Sequence, residues 1–327
     1  MTKARIGARK ALTAAGAALL AAGTLWADAA LAQAYPSRPV HFIVGFPAGG
    51  GSDTSARVSA SAMEKSLGQS IVVENRPGAG SLIGAQYVAK AEPDGYTIMF
   101  GSVSGFHPVF LKEGLDASKA YDAITNLQVG GLIMAAKQAV PYNNLQELLA
   151  WSKSNPGKLN FGSVAPQADL YMAMFKAKTG IDFLSVSYKG DAPIITALLG
   201  GEIDVAWSNI LTVLPQAQAG KMKMLWVTRA QRSSMAPNLP TLAEAGIPGI
   251  TYEFHLGLWA PKGTPRAAIV KLNQAGVAAV KQPEVIEQFH KFGADPEGTS
   301  PEDTLKTFNE EIKFWTEAAR LSGYQPQ

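Results

Sequence analysis

The sequence predicts an α/β fold of mainly parallel sheets, divided into two lobes with a cleft between them. Three observations carry this expectation. From Tyr35 onward short apolar runs alternate with helical patterns, the order expected of strands joined by crossover helices. The runs are almost continuously apolar and rich in β-branched and aromatic residues, as in strands covered on both faces. Two long apolar stretches, "LQVGGLIMAAKQAVPY" (127–142) and "GITYEFHLGLWAPKGTP" (249–265), read as crossings out of one lobe and back into it.

In chain order, the first 34 residues stand apart. Lys3, Arg5, Arg9 and Lys10 precede "ALTAAGAALLAAGTL", and "LAQA" ends in small residues at Ala32 and Ala34. This is the layout of a secretory signal peptide, with a cut between Ala34 and Tyr35. The expected strands are then 40–46, 70–75, 96–101, 159–163, 183–188, 204–209 and 222–228. In "TSARVSASAMEKSLG", Ala56, Ala60, Met63 and Leu67 share one helical face and Gly68 closes the segment. "LQELLAWSKSNPG" reads as a helix stopped by Asn-Pro-Gly. The last helix has Ser300 as its cap, Pro301 at its first position, and Leu305, Phe308, Ile312, Trp315 and Ala319 on one stripe. The return stretch is followed only by helices in this reading. Lobe 1 is therefore placed at 35–136 and 253–327, and lobe 2 at 137–252.

Composition narrows the function. The 327 residues are 47% hydrophobic and 17% charged, which describes a globular chain long enough for two cores. There is no cysteine, which removes disulfide frameworks, thiolate metal sites and cysteine nucleophiles together. The chain has 29 Lys+Arg and 26 Asp+Glu, and removing the leader leaves 25 of each. A neutral mature protein gives no electrostatic support to nucleic-acid binding. His41, His107, His255 and His290 are far apart with no paired spacing, so neither a metal site nor a cofactor is expected.

The stretch "FPAGGGSD" (46–53) lies between a strand and a helix. A Walker loop requires a lysine after its glycines, and a dinucleotide loop requires a third glycine where Thr54 stands. Both nucleotide readings fail on spacing. Two remain: an anion held by backbone N–H groups at the helix start, with Ser52 or Asp53 as cap, or a tight turn with no ligand. Similar loops follow other strands: "GSVSGF" (101–106), "GSVAPQAD" (162–169), "SYKGDAP" (187–193) and "WSNILT" (207–212). They collect small donors at the carboxyl ends of strands, where open α/β sheets bind ligands. No nucleophile elbow is present, since "GSVSG" centres on Val103. His41, inside an apolar strand, reads as structural, and His255 in the return crossing is kept as a cleft residue.

"YPSRPVHFIVGFPAGGGSD", "VVENRPGAGSLIGAQYVAKAEPDGYTIMFG", "NPGKLNFGS", "SYKGDAPIITALLGGEIDV", "AGKMKMLWVT", "LPTLAEAGIPG" and "GLWAPKGTP" together resemble the Bug family. These are the extracytoplasmic solute receptors of tripartite tricarboxylate transporters. The motifs occur in family order and cover the mature chain. The resemblance implies a two-lobed periplasmic binding protein, type II-like, that closes on a small carboxylate and hands it to membrane transporter subunits. It also implies a ligand carboxylate held by Phe46, Ala48, Gly49 and Asp53 on one side and by Ser163, Val164 and Ala165 on the other. Ser102, Ser104, Ser208 and Asn209 become wall residues. No catalysis, no cofactor and no metal is expected, and the receptor is expected to be a monomer.

The chain departs from the family pattern in three places. The second-lobe loop reads "SVAPQADLYMAMF", with Asp169 near an expected histidine; Ser208-Asn209 replaces Asp-Asn; and His255-Leu256 replaces Trp-Phe. Asp169 has two readings, a helix cap or a carboxylate that selects the far end of the ligand. A secreted serine hydrolase using Ser104 or Ser163, and a ligand receptor for a membrane sensor, are the alternatives to a transport receptor. The leader reading predicts that intact mass of the exported protein begins at Tyr35, and a retained Met1 or a lipid adduct would refute it.

Overall fold

The first apolar runs form β1 (Val40–Val44), β2 (Ile71–Asn75) and β3 (Thr97–Gly101), in a computed structural model that describes residues 35–163, 166–188 and 191–326. The expected leader lies outside those residues. β1 pairs in parallel with both β2 and β3, so each connection must cross over the sheet. Helix α1 (Gly51–Leu67) makes the first crossover and α2 (Leu82–Ala89) lies in the second. Alternation along β1 explains its unbroken apolarity. Val40, Phe42 and Val44 pack with Ala56, Ala60, Met63 and Leu67 of α1, whereas Ile43 packs with Ala85 and Val88 of α2. Gly68, at φ +70°, ends α1 as the sequence predicts.

After the short helix α3 (Ala117–Ala120), strand β4 (Tyr121–Gly130) leads out of this sheet and β5 (Leu132–Lys137) enters a second one. There α4 (Leu145–Ser154), β6 (Asn160–Ser163), α5 (Pro166–Thr179), β7 (Leu184–Ser187), α6 (Asp191–Gly200), β8 (Val205–Asn209), α7 (Ile210–Gln218) and β9 (Met222–Val227) follow. The chain returns as β10 (Phe254–Pro261) and finishes with α8 (Arg266–Ala279), α9 (Pro283–Lys291), β11 (Ala294–Pro296) and α10 (Pro301–Ser322). The sheet orders are β11-β4-β10-β3-β1-β2 and β7-β6-β8-β5-β9.

Three sequence expectations change. The sheets are mixed: among the described residues five of nine strand pairings are antiparallel. The reason is topological. A strand that leaves a sheet and one that returns through the same gap run in opposite directions, as β4 and β10 do. The outward crossing lies at Gly131, so a boundary at 136 cuts β5, which pairs with β8 and β9 in the second sheet. The helical tail also contains β11, which extends the first sheet beside β4.

α10 ties the two sheets together. Ser300 accepts a hydrogen bond from the Asp303 N–H at 3.0 Å and Pro301 occupies the first position. Its 22 residues span about 33 Å. Near its start Phe308 meets Trp259 of the first sheet at 5.6 Å between ring centroids. Further along, Trp315 packs at 5.5 Å from Phe110 and 5.3 Å from Tyr252, within the core that holds Tyr171, Trp207 and Trp226 of the second sheet. Among the described residues no helix is long and apolar enough to cross a membrane.

The crossing is tightly packed. A Cβ added at Gly130 would lie 2.1 Å from the ring of Phe254 on β10, with the whole ring edge in the way. Gly130→Ala is therefore expected to destabilise the fold by about 1–3 kcal/mol through overpacking. Urea unfolding measures this, and an unchanged midpoint with unchanged slope would show that the ring moves aside without cost.

Candidate functional site

A cavity of about 380 Å³ lies between the sheets, with walls drawn from both, a volume suited to a small organic ligand. One end is the start of α1. Gly50 is its N-cap and provides no side-chain hydrogen bond, so the first-turn amides of Gly51 and Ser52 lack a helical partner. Gly51, Ser52 and Ser55 line the cavity there beside Phe46. Ser55 is 1% exposed, yet its hydroxyl has no hydrogen-bond partner among the described residues. A buried hydroxyl left without a partner in a cavity-wall residue is an unmet hydrogen-bonding demand at that wall.

The turn after β3 contributes Ser102, Ser104 and Gly105. The hydroxyls of Ser102 and Ser104 are 3.1 Å apart and share a hydrogen bond. The second sheet contributes Asn209 and Gln167. Asn209 accepts from the Leu211 N–H at 2.9 Å and so caps α7. The crossing strands add Gln128, Tyr252, Phe254 and Leu256, and α10 adds Glu311 and Trp315. Gln128 is buried, and among the described residues its Oε1 has no partner. The Trp315 indole N–H donates to Glu311 at 3.2 Å. Burial raises the Glu311 pKa, against hydrogen bonds from Ser104 and Trp315 and the nearby charge of His255.

Of the residues expected from sequence, Phe46, Ser102, Ser104 and Asn209 line this cavity; Ala48, Gly49, Asp53, Ser163, Asp169, Ser208 and His255 do not. Val164 and Ala165 lie outside the described residues. Asp53 is not the cap of α1; it sits inside the first turn, 3% exposed. Its carboxylate accepts from the Gly49 N–H at 2.9 Å, from Arg57 Nε at 3.0 Å and from Asn75 Nδ2 at 3.0 Å, with Arg57 NH2 also 2.9 Å from its Oδ1. The glycine loop is thus fastened from behind by Asp53. Gly49, at φ +80°, takes a backbone conformation that glycine adopts without strain.

Asp169 is not a cap either, because α5 already begins at Pro166. It is exposed and accepts a 2.7 Å hydrogen bond from Ser185 of β7. Ser208 is fully buried and shares a 3.0 Å hydrogen bond with Thr212. His255 lies behind the cavity, 2.9 Å from Glu297, and borders two smaller cavities together with Glu311. Burial opposes its charging, but the hydrogen bond and charge of Glu297, with Glu311 and Glu253, raise its pKa above the ordinary value.

Sequence reasoning missed Ser55, Gln128, Tyr252, Glu311 and Trp315 as cavity residues. Two left a trace. Gln128 interrupts an apolar run, and Glu311 falls three residues after Phe308 and four before Trp315, on the buried side of α10.

The model of the family described as "Tripartite tricarboxylate transporter family receptor" matches residues 55–321. Protein BugT of Bordetella pertussis is 34% identical over 300 residues, covering 89% of this chain and 91% of that protein. A protein of R. palustris solved with adipate superposes with a TM-score of 0.72 at 30% identity, covering 90% of this chain and all of its own. MatC from Rhodopseudomonas palustris, solved with bound malate, superposes at 0.67 and 30% identity, covering 87% of this chain and 99% of its own.

The Asp53 clamp has a pH signature. The Arg57 hydrogen bond, against the cost of burial and aided by Gly49 and Asn75, holds the Asp53 pKa below its ordinary value. A depressed folded-state pKa gives stability that is present above the unfolded value and lost as pH falls through the folded one. Asp53→Asn should therefore cost about 1–3 kcal/mol at neutral pH, with the gap to the native protein closing toward the acid end. Urea unfolding across a pH series reads this; a gap independent of pH would assign the loss to shape and not to charge.

Proposed function

This chain belongs to the tripartite tricarboxylate transporter receptor family, and from that premise we propose that its inter-sheet cavity captures a small organic carboxylate for delivery to the membrane transporter. The observation that carries this reading is the α1 end of the cavity. Among the described residues, uncapped amides at Gly51 and Ser52 and the unpartnered Ser55 hydroxyl present neutral donors without a basic side chain in the cavity wall. A helix start of this kind stabilises a carboxylate through oriented N–H groups and the helix dipole. The ligands of the two R. palustris proteins, adipate and malate, are of the class that such an end accepts.

Binding is taken to occur without chemistry. Among the described residues Ser104 is hydrogen-bonded to Ser102 at 3.1 Å, and no hydrogen bond joins it to an imidazole of the kind that activates a nucleophile. We also propose that the protein is exported as a monomer, cut before Tyr35, and divided into lobes that meet near Gly131 and before Phe254. Phe46, Ser102, Ser104 and Asn209 are the expected ligand-wall residues, and Ala48, Gly49 and Ser163 support them from the flanking loops.

The test is a thermal-shift screen of mono- and dicarboxylates, aromatic acids and amino acids on the mature protein. A ligand at a hundred times its dissociation constant adds about 2.7 kcal/mol to the native state, so a true ligand should raise the melting temperature clearly. It should be recovered chemically unchanged after long incubation. Turnover abolished by Ser104→Ala would move the reading to a hydrolase.

A further inference from the structure

Glu311 is out of place in a cavity meant only for anions. It is the one charged side chain among the described residues that line the cavity, and none of the ion pairs among the described residues includes it. The charge of His255 acts on Glu311 from a distance, but its hydrogen-bonded partner is another carboxylate. His255 is 2.9 Å from Glu297, and Arg229 contacts Asp295 and faces Glu253 at 3.6 Å. A second carboxylate brought against Glu311 would have to share its proton or suffer repulsion in a poorly solvated site.

Three features around Glu311 suit a cation. Its carboxylate takes hydrogen bonds from Trp315 and Ser104, and a carboxylate accepts about four in all. Gln128, 2% exposed, lines the same cavity, and among the described residues its buried Oε1 has no donor. Trp315, Phe110 and Tyr252 form a ring cluster, with Trp315 centred 5.5 Å and 5.3 Å from the other two, and aromatic faces attract cations. The α1 end offers donors, the α10 end offers acceptors, and one small cavity contains both.

We propose that Glu311 is the specificity-determining residue of this receptor, receiving a cationic nitrogen so that the cavity takes an amino-carboxylate zwitterion in preference to a dicarboxylate of the same shape. The inference rests on the carboxylate-receptor reading above and adds the charge at the ligand's other end. The raised pKa of Glu311 in the ligand-free protein fits the same picture: burial makes its charged form costly beyond what Ser104, Trp315 and His255 offset, and a bound ammonium adds to that offset.

Calorimetric titration of the mature protein with matched trios tests this. One trio is 4-aminobutanoate, pentanoate and glutarate; another is 6-aminohexanoate, heptanoate and pimelate; the third is leucine, 2,4-dimethylpentanoate and isobutylmalonate. The amino acid should bind at least tenfold more tightly than both partners in at least one trio. Glu311→Gln, close in shape and confirmed folded by its melting curve, should abolish that preference. The native ranking alone decides the matter if the variant fails to fold. A native protein that prefers the dicarboxylate or monocarboxylate in every trio, or a folded variant that keeps the amino-acid preference, overturns the role of Glu311 and leaves the carboxylate receptor standing. Binding of no acid in the panel overturns both.

Discussion

The structure depends on how the chain passes twice between two sheets through one narrow gap. β4 leads out across Gly130 and Gly131, β10 comes back beside it, and the close approach of Phe254 to Gly130 shows how little room is left. Antiparallel pairing follows from that passage and turns a pair of parallel α/β units into mixed sheets. The cavity follows from it too, because Gln128, Tyr252, Phe254 and Leu256 reach its wall from the crossing segments. α10 completes the arrangement by burying Phe308 against one sheet and Trp315 against the other, with Glu311 between them.

The site separates support from contact. Asp53 looks like a ligand residue by type and position, yet its carboxylate is used by Gly49, Arg57 and Asn75. Its work is to hold the glycine loop and leave the first amides of α1 facing the cavity. A neutral donor end of this sort suits a carboxylate through geometry, since among the described residues no arginine or lysine lines the cavity. At the far end the rule reverses: Glu311 and the Gln128 oxygen are acceptors, and the surrounding rings are indifferent to anions. A cavity with unlike ends orients its ligand as well as selecting it.

The local features of the sequence were legible because each rests on a short-range rule. Val40 to Val44 alternate between two helices, Gly68 closes α1, and Ser300 with Pro301 opens α10. The donor-rich loops at Phe46, Ser102 and Ser104, and Asn209 at the end of β8, were legible from their place after strands. Asp53 and Asp169 misled, because an acidic residue near a helix start reads as a cap whether or not the helix begins there. Their true partners, Asn75 and Ser185, are 22 and 16 residues away.

The sequence by itself determined the α/β elements, the two-lobed division and the family, since periodicity, composition and motif order are properties of the chain. Only the tertiary structure decided that β10 enters the middle of the first sheet, that Asp53 turns inward, and that Glu311 reaches the cavity. Strand order is a relation between residues more than a hundred positions apart, as Gly101 opposite Gly257 illustrates. Glu311 one step off an apolar stripe looks like any surface glutamate until the helix lies across both cores, because burial is set by what packs against a residue and not by the residue itself.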